Sequence, residues 1–207
     1  MDDEVGEAYA RRAVEYTELF GSMDAVHPLD RQLVATWAGS LHGAILDAGC
    51  GPGHWTNFLT ELGYSAHGMD LVPAFIERAR TAYPGISFRV GNLNAIYLES
   101  RTVAGVLAWY SLIHHKPDAL RVPLLELSRI LSPGGELVIG FFVGHVVEKF
   151  DHGVVEAWRW PVSDLCAELV AAGFDVVETH VRTTAGKRPH GAIIARLSNR
   201  GGGTHRL

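Results

Sequence analysis

The sequence predicts an α/β fold, in which a mainly parallel sheet carries helices on both faces and ends in an antiparallel strand. From Ala44 onward, strand-like apolar runs alternate with amphipathic segments, the pattern of parallel strands joined by helices. The last two strand-like segments, 174–183 and 191–197, are separated only by TAGKRPH. Because a parallel crossover needs about a dozen residues or more, this short connection permits only an antiparallel hairpin.

Seven strands and six helices are predicted in order along the chain. The strands cover 44–49, 65–71, 86–92, 103–110, 135–143, 174–183 and 191–197. The helices cover 7–20, 28–41, 54–63, 73–83, 117–131 and 161–173. Pro73 suits the first turn of its helix, whereas Pro123 is expected to bend its helix or to delay the start.

These elements predict one core domain with two additions. Residues 44–198 form the core, and the two helices within residues 1–43 are expected to cover the open end of the sheet as a lid. The segment 144–160 has no clear period and is interpreted as an insertion, a hairpin being one form it can take. The Gly-rich residues 199–207 are expected to be a flexible tail.

Length, composition and charge exclude several classes of protein. The chain has 207 residues, 47% of them hydrophobic, and no apolar run long enough to span a membrane. Its acidic start lacks the apolar core of a signal peptide, and Cys50 and Cys166 cannot form a disulfide framework, so we expect a cytoplasmic protein. The net charge of -5 argues against a nucleic-acid partner.

A glycine-rich loop follows the first predicted strand. Gly49, Gly51 and Gly53 alternate after Asp47, whereas nicotinamide-binding folds have the spacing GxGxxG. Glycines let the backbone approach a ligand closely, and the helix from His54 directs free N–H groups at the loop. The pattern therefore predicts a site for the negatively charged end of a ligand.

The next two strand ends carry polar side chains that suit a nucleoside. Asp70 ends the second strand, where a carboxylate accepts hydrogen bonds from both hydroxyls of a ribose. Asn92 follows the third strand and offers a donor and an acceptor to an adenine edge. The apolar side chains that can cover the faces of the adenine are Leu71, Leu93 and Ile96.

The sequence resembles the class I S-adenosylmethionine-dependent methyltransferases, Rossmann-like enzymes, and especially their small single-domain "type 11" members. The resemblance covers residues 44–143 and rests on ILDAGCGPG, GMDLV, WYSLIHH and LSPGGELVIGFF. It implies S-adenosylmethionine (AdoMet) as cofactor, S-adenosylhomocysteine as product and methyl transfer to a nucleophile. The cofactor-binding residues that it implies are Asp47, Gly49, Cys50, Gly51, Gly53, Asp70, Leu71, Asn92 and Leu93. The family commonly has Asp at position 92, so the asparagine is a departure.

Histidine and aromatic side chains supply candidates for the chemistry. His114 and His115 follow the fourth strand, where a neutral imidazole can take a proton from the acceptor or simply order the loop. Trp109 and Tyr110 either face the cofactor's sulfonium, since aromatic rings attract cations, or pack in the core.

Aromatic residues of the two additions form a second group of candidates. Tyr9 and Tyr16 share one face of the lid and either touch the cofactor or roof the pocket, or simply pack against their neighbours. Trp158 and Trp160 either line a substrate pocket or hold the insertion against the core. No spacing of histidine and cysteine predicts a metal site.

Three functions are weighed against one another. The leading one is an AdoMet-dependent methyltransferase that forms an O-, N- or C-methyl product from an unidentified small molecule. A non-catalytic AdoMet-binding module is the alternative. A nicotinamide-dependent oxidoreductase is disfavoured by the glycine spacing and by the lack of a Tyr-x-x-x-Lys pair. Methylation of nucleic acid is disfavoured because no NPPY or DPPY tetrapeptide follows the fourth strand. The oligomeric state is left open.

Overall fold

The computed structural model describes residues 2–198 and contains a nine-stranded sheet. The strands are β1 (Ile45–Ala48), β2 (Ala66–Asp70), β3 (Phe88–Val90), β4 (Val103–Trp109), β5 (Leu131–Val143), β6 (Glu148–Asp151), β7 (Glu156–Trp160), β8 (Phe174–Arg182) and β9 (His190–Leu197). The helices are α1 (Asp2–Arg11), α2 (Ala13–Phe20), α3 (Pro28–Gly39), α4 (His54–Glu61), α5 (Pro73–Ala82), α6 (Arg121–Ile130) and α7 (Val162–Ala171).

The parallel part of the sheet has the strand order β3-β2-β1-β4-β5. From β1 the chain first adds β2 and β3 on one side and then returns to add β4 and β5 on the other. The order therefore reverses between β1 and β4, and in open α/β sheets ligands bind in the crevice outside the strand ends at such a point. The carboxyl ends of β1 and β4 mark that position here.

The antiparallel hairpin predicted at the end of the chain is confirmed. β9 runs antiparallel to β5, from the pair Glu136 and Arg196 to the pair Phe142 and His190. β8 then pairs with the other edge of β9. The short connection between β8 and β9 leaves no room for a crossover helix, so the strand direction has to reverse.

The sheet has nine strands rather than seven, because the segment 144–160 contains the hairpin of β6 and β7. β7 pairs in parallel with the last residues of β5, at Phe142 and Val143. Since β9 occupies the other edge of β5 there, β7 lies on the side of β4, beyond the point where β4 ends. The Trp158 N–H donates to the Ile113 carbonyl at 2.7 Å, which ties the hairpin to the chain leaving β4.

Two helices differ from their predicted bounds for local reasons. The predicted helix 7–20 is divided at Arg12, whose φ of -115° and ψ of 13° interrupt the helix between α1 and α2. α6 begins at Arg121 rather than at residue 117, with Pro123 in its first turn. Proline is accepted there because the first N–H groups of a helix have no partner within the helix.

Apolar side chains cover both faces of the sheet. On one face Leu124 and Leu127 of α6 and Leu169 of α7 are fully buried. On the other, Val34 of α3 and Leu59 of α4 are fully buried. Within residues 2–198, no helix is long and apolar enough to cross a membrane. The predicted tail, 199–207, lies outside the described residues.

Gly105 in the middle of β4 provides a test of how tightly α3 packs on the sheet. A Cβ atom at this position would lie 2.3 Å from Leu41 and 2.9 Å from the Trp37 ring. We expect Gly105→Ala to lower the free energy of unfolding in urea by about 1–3 kcal/mol, the scale of overpacking in a core. Gly85→Ala is the control, because no atom lies within 4 Å of its added Cβ. Equal effects of both substitutions would contradict the packing described.

Candidate functional site

A cavity lies at the carboxyl ends of β1, β2 and β4, beneath the helices α1 and α2. It therefore occupies the point where the strand order reverses. The residues that line it are Val5, Tyr9, Tyr16, Gly49, Gly51, Met69, Asp70, Leu71, Val72, Phe75, Gly91, Asn92, Leu93, Trp109, Tyr110, Ser111, His114 and His115.

Two glycines of the loop after β1 form one wall of the cavity. Gly49 has a φ of 84°, and a Cβ there would lie 2.2 Å from the Cβ of Ser111, so this position requires glycine. Gly51 also has a positive φ, of 53°, but nothing lies within 4 Å of the position of its missing Cβ. The backbone at Gly51 is therefore open to close approach by a ligand.

The carboxylate of Asp70 joins the loops that follow β1 and β2. The Gly51 N–H donates to Oδ2 and the Val72 N–H donates to Oδ1, both at 2.8 Å. Burial raises the pKa of Asp70 to about 6, and the backbone hydrogen bonds oppose that rise. Each carboxylate oxygen accepts more than one hydrogen bond, so Asp70 can hold the two loops and still accept from a ligand.

Three residues expected at the cofactor, one from β1 and two from the loop after it, lie outside the lining of the cavity and support the loop. Asp47 is 1% exposed and accepts a hydrogen bond from the Thr56 hydroxyl at 2.6 Å, which anchors α4 to β1. Cys50 is 3% exposed and packs with Phe88 in an apolar cluster. Gly53 approaches the same ring, since its missing Cβ would lie 2.8 Å from Phe88. Glycine at position 53 thus allows the Phe88 ring to pack closely and adopts the φ of 88° that precedes α4.

Aromatic rings roof the cavity. The ring centroids of Tyr9 and Tyr16 lie 5.4 Å apart, and those of Tyr16 and Phe75 lie 5.3 Å apart. Burial raises the pKa of Tyr9, and it raises the pKa of Tyr16 to about 12, with the nearby Asp70 adding to both shifts. Both phenols are therefore neutral at physiological pH, and the α1–α2 pair places them over the cavity.

His114 is fixed in one tautomer by two hydrogen bonds. Its Nδ1 lies 2.8 Å from the Glu156 carbonyl oxygen, which can only accept, so Nδ1 carries the proton. Its Nε2 then accepts from the Tyr9 hydroxyl at 2.8 Å. Burial lowers the pKa of His114 to about 4, so the ring is neutral at pH 7. His115 lines the same cavity.

Tyr110 adopts a strained backbone conformation at the end of β4. Its φ of 58° is in the left-handed region, which is costly for a bulky residue and is commonly found at functional sites. The phenol forms a hydrogen bond with His190 Nδ1, and its ring lies 4.9 Å from the ring of Phe142. Trp109 also lines the cavity and packs on Trp55 with 5.4 Å between the ring centroids.

The opposite wall contains the residues expected at an adenine. Leu71, Asn92 and Leu93 line the cavity, whereas Ile96 is buried in the core. The Asn92 side-chain oxygen accepts from the Asn94 N–H at 2.8 Å, which shapes the turn after β3.

The expectation that Trp158 and Trp160 line a pocket is corrected. Neither lines the cavity: Trp160 is 6% exposed within the core, and Trp158 packs against the same core. Alternation along β7 places both rings, two residues apart, on its inner face. The hairpin instead presents its turn, with His152, towards His114.

Sequence reasoning missed several residues of the cavity. Ser111 lies within WYSLIHH and touches Gly49, and its position in that motif was the only available signal. Phe75, in the first turn of α5, gave no signal because its spacing fits an ordinary core position. Among residues 2–198, no group of three or more His, Cys, Asp or Glu side chains is arranged to hold a metal ion.

Comparison with known proteins supports the resemblance. Residues 45–135 match the family of methyltransferase domains. Over 131 residues the chain is 30% identical to malonyl-[acyl-carrier protein] O-methyltransferase of Salmonella typhimurium, covering 63% of this chain and 50% of that relative. The chain thus spans about half the length of this relative.

Solved structures share the fold at low sequence identity. The 1,6-didemethyltoxoflavin-N1-methyltransferase of Burkholderia thailandensis, solved with its substrate and S-adenosylhomocysteine, has a TM-score of 0.76 at 19% identity, covering 96% of this chain and 91% of its own. The [4+2]-cyclase SpnF has a TM-score of 0.78 at 15% identity, covering 95% and 96%. Residues 45–135 thus match a methyltransferase domain, and the fold is that of the class I S-adenosylmethionine-dependent methyltransferases.

The buried carboxyl of Asp47 predicts a specific dependence of stability on pH. Its pKa is raised in the folded protein to about 7 from an ordinary value of 3.8, so its contribution to stability is present at low pH and is lost as the pH rises through 7. Asp47→Asn removes this titration, and the amide oxygen can still accept from Thr56.

We therefore expect the free energy of unfolding of the wild type to fall relative to that of Asp47→Asn by about 1 kcal/mol per pH unit between pH 5 and 7. Urea unfolding of both proteins across this range measures the difference. A constant difference would show that Asp47 is ionised throughout.

Proposed function

We propose that the chain binds AdoMet in this cavity and transfers its methyl group to an O, N or C nucleophile of a small molecule. The observation that carries the proposal is the meeting of Gly49, Gly51, Asp70 and Asn92 in one cavity at the point where the strand order reverses. The two glycines suit the amino-acid end of a ligand, Asp70 suits a ribose and Asn92 suits an adenine. The matched family supports the same activity.

The chemistry of the lining fits each part of AdoMet. The open backbone at Gly51 and the nearby start of α4 favour the methionine carboxylate. Asp70, clamped at the end of β2, offers its remaining lone pairs to the ribose hydroxyls. Asn92, between Leu71 and Leu93 in the lining, offers polar contacts to the adenine edge and apolar contacts to its faces.

When bound, AdoMet supplies a methyl group that is already activated, so the protein has to position the acceptor, exclude water and receive a proton. Trp109 and Tyr110 present aromatic rings, which attract a positively charged group. The neutral His114 holds its unprotonated Nε2 in the cavity wall, and this nitrogen is the candidate acceptor of the proton. His115, which lines the same wall, is the second candidate.

A non-catalytic AdoMet-binding module is the alternative. The fold alone does not establish methyl transfer, since the [4+2]-cyclase SpnF has a comparable architecture. The imidazole of His114, fixed in the tautomer that leaves Nε2 unprotonated, favours the enzyme. For location we retain the cytoplasm, in agreement with the free thiols of Cys50 and Cys166.

Replacement of Asp70 tests the cofactor site. We expect Asp70→Ala to weaken the binding of S-adenosylhomocysteine by about 1–3 kcal/mol, because the ribose hydroxyls and the Gly51 and Val72 N–H groups lose their acceptor. Isothermal titration calorimetry measures this loss. Asp70→Asn is the matched variant. It retains one acceptor oxygen, and we expect its affinity for S-adenosylhomocysteine to lie between those of the wild type and Asp70→Ala. Wild-type affinity in Asp70→Ala would refute the ribose assignment.

Replacement of the two histidines tests the proton acceptor. We expect the variant that removes the base, His114→Ala or His115→Ala, to lower turnover with labelled AdoMet by about 10²–10⁴-fold. Affinity for S-adenosylhomocysteine, measured by calorimetry, should change little in the same variant. His145→Ala, an exposed histidine after β5, is the control. Full turnover in both variants would exclude a histidine base and favour reactions that need no proton acceptor.

A further inference from the structure

A second group of rings adjoins the cavity beneath the hairpin of β6 and β7. It consists of Tyr110, Phe142, Phe150, His152 and His190, and we refer to it as the hairpin cluster. The ring of Phe142 is at its centre, with centroid distances of 4.9 Å to Tyr110, 5.2 Å to Phe150, 5.6 Å to His152 and 5.5 Å to His190. Four strands, β4, β5, β6 and β9, contribute to this cluster or border it.

The hairpin cluster is continuous with the wall of the cavity. Tyr110 belongs to both. The ring of His152 lies 5.4 Å from the ring of His114, with 78° between their planes. The imidazole of His152 therefore contacts the cavity wall at His114.

His152 has a buried polar atom that the protein leaves unsatisfied. Among residues 2–198, none forms a hydrogen bond with its Nδ1, although this atom is shielded from solvent. Such a group costs free energy in a folded protein, and a bound ligand is one way in which that cost can be offset.

The position of His152 is nevertheless well determined, because the backbone is fastened on both sides of it. Arg188, from the loop before β9, donates to the Asp151 carbonyl at 3.0 Å, and its guanidinium lies 4.9 Å from the Phe150 ring centroid. Arg12, between α1 and α2, donates to the Gly153 carbonyl. Two separate segments thus hold the turn while the imidazole points inward.

The electrostatics of the hairpin cluster define the chemistry that it suits. The cluster contains no carboxylate, and burial lowers the pKa values of His152 and His190, so its imidazoles are neutral at pH 7. The charged groups that act on its imidazoles are Arg188 and Asp151 at His152, and Lys187 at His190 together with the pair of Arg182 and Asp30, which are joined at 2.6 Å. Flat aromatic walls favour a planar molecule, and a neutral imidazole nitrogen accepts a hydrogen bond from a hydroxyl group.

We propose that the hairpin cluster is the subsite for the methyl acceptor and that it takes an uncharged, planar aromatic compound whose hydroxyl group donates a hydrogen bond to His152 Nδ1. This inference rests on the proposed methyltransferase function and deepens it by naming the class of acceptor. His152 is then the residue that selects a hydroxylated ring over a bare ring or an aromatic anion. Phe142 and Phe150 supply the surfaces on which the ring packs.

The test uses 1-naphthol as the probe, with naphthalene and 1-naphthoate for comparison, titrated by fluorescence into the protein loaded with S-adenosylhomocysteine. We expect 1-naphthol to bind at least tenfold more tightly than either comparison compound. His152→Phe keeps a ring but removes the acceptor nitrogen, and should abolish this preference. His152→Asn keeps an acceptor close to the position of Nδ1 and should retain it. His145→Phe, at an exposed position, should behave as the wild type.

Affinity for S-adenosylhomocysteine is measured first in every protein, so that the two proposals fail separately. If the wild type does not bind it, the proposed function fails, and the acceptor subsite fails with it. If it binds but 1-naphthol shows no preference, or His152→Phe retains the preference, only the subsite is refuted. Should His152→Phe not fold, the ¹⁵N resonance of His152 Nδ1 in the wild type decides: it should shift with 1-naphthol and not with naphthalene, and an unchanged resonance refutes the subsite.

Discussion

The site depends on one carboxylate, that of Asp70, which accepts hydrogen bonds from backbone N–H groups in the loops after two neighbouring strands. The Gly51 N–H belongs to the loop after β1, and the Val72 N–H precedes α5. These two N–H groups lie outside the β-ladders and have no backbone acceptor there. The carboxylate accepts their hydrogen bonds instead. A hydrogen bond to a charged acceptor is worth more than a neutral one. The position of the glycine loop relative to β2 is therefore fixed before any ligand binds.

The burial of charge here has a thermodynamic cost that packing elsewhere has to offset. Asp47 is buried and Asp70 is partly buried, and the negative charge of Asp70 contributes to raising the pKa of Asp47. Two carboxyls in so small a region are unfavourable for folding alone. Asp47 serves the structure through Thr56, whereas Asp70 also faces the cavity. Of the two, Asp70 is the one whose cost is explained by function as well as by the fold.

Local features of the chain predicted most of the fold. Alternating strands and helices gave the parallel core, and the seven residues after β8 required the reversed β9. The strand count could not be obtained in this way, because β6 and β7 lie in a segment without a clear hydrophobic period. The pairing of β7 with Phe142 and Val143 depends on β5 extending past β4, a long-range property that no local pattern encodes.

The sequence predicted the cavity residues that lie in or beside a motif. It did not predict contacts between residues that only the tertiary structure brings together. Gly49, Gly51, Asp70 and Asn92 follow strand ends, so their convergence follows from parallel strands sharing one edge. Tyr9 and His114 are 105 residues apart, and their hydrogen bond depends on how α1 lies over the sheet. The sequence left open whether the two tryptophans of β7 line a pocket or pack on the core, because aromatic content does not reveal which face of a strand is the inner one.

The hydrogen bond from Tyr9 to His114 has a consequence for affinity. Any molecule that needs His114 Nε2 competes with a phenol that the protein itself supplies at 2.8 Å. A neutral hydrogen bond contributes about 0.5–1.5 kcal/mol, so this internal competitor lowers the apparent affinity of such a molecule by up to about tenfold. In return, Nε2 of His114 has a hydrogen-bond partner within the protein while α1 is in place. Tyr9 of α1 thus occupies a polar atom of the cavity wall as well as covering the cavity.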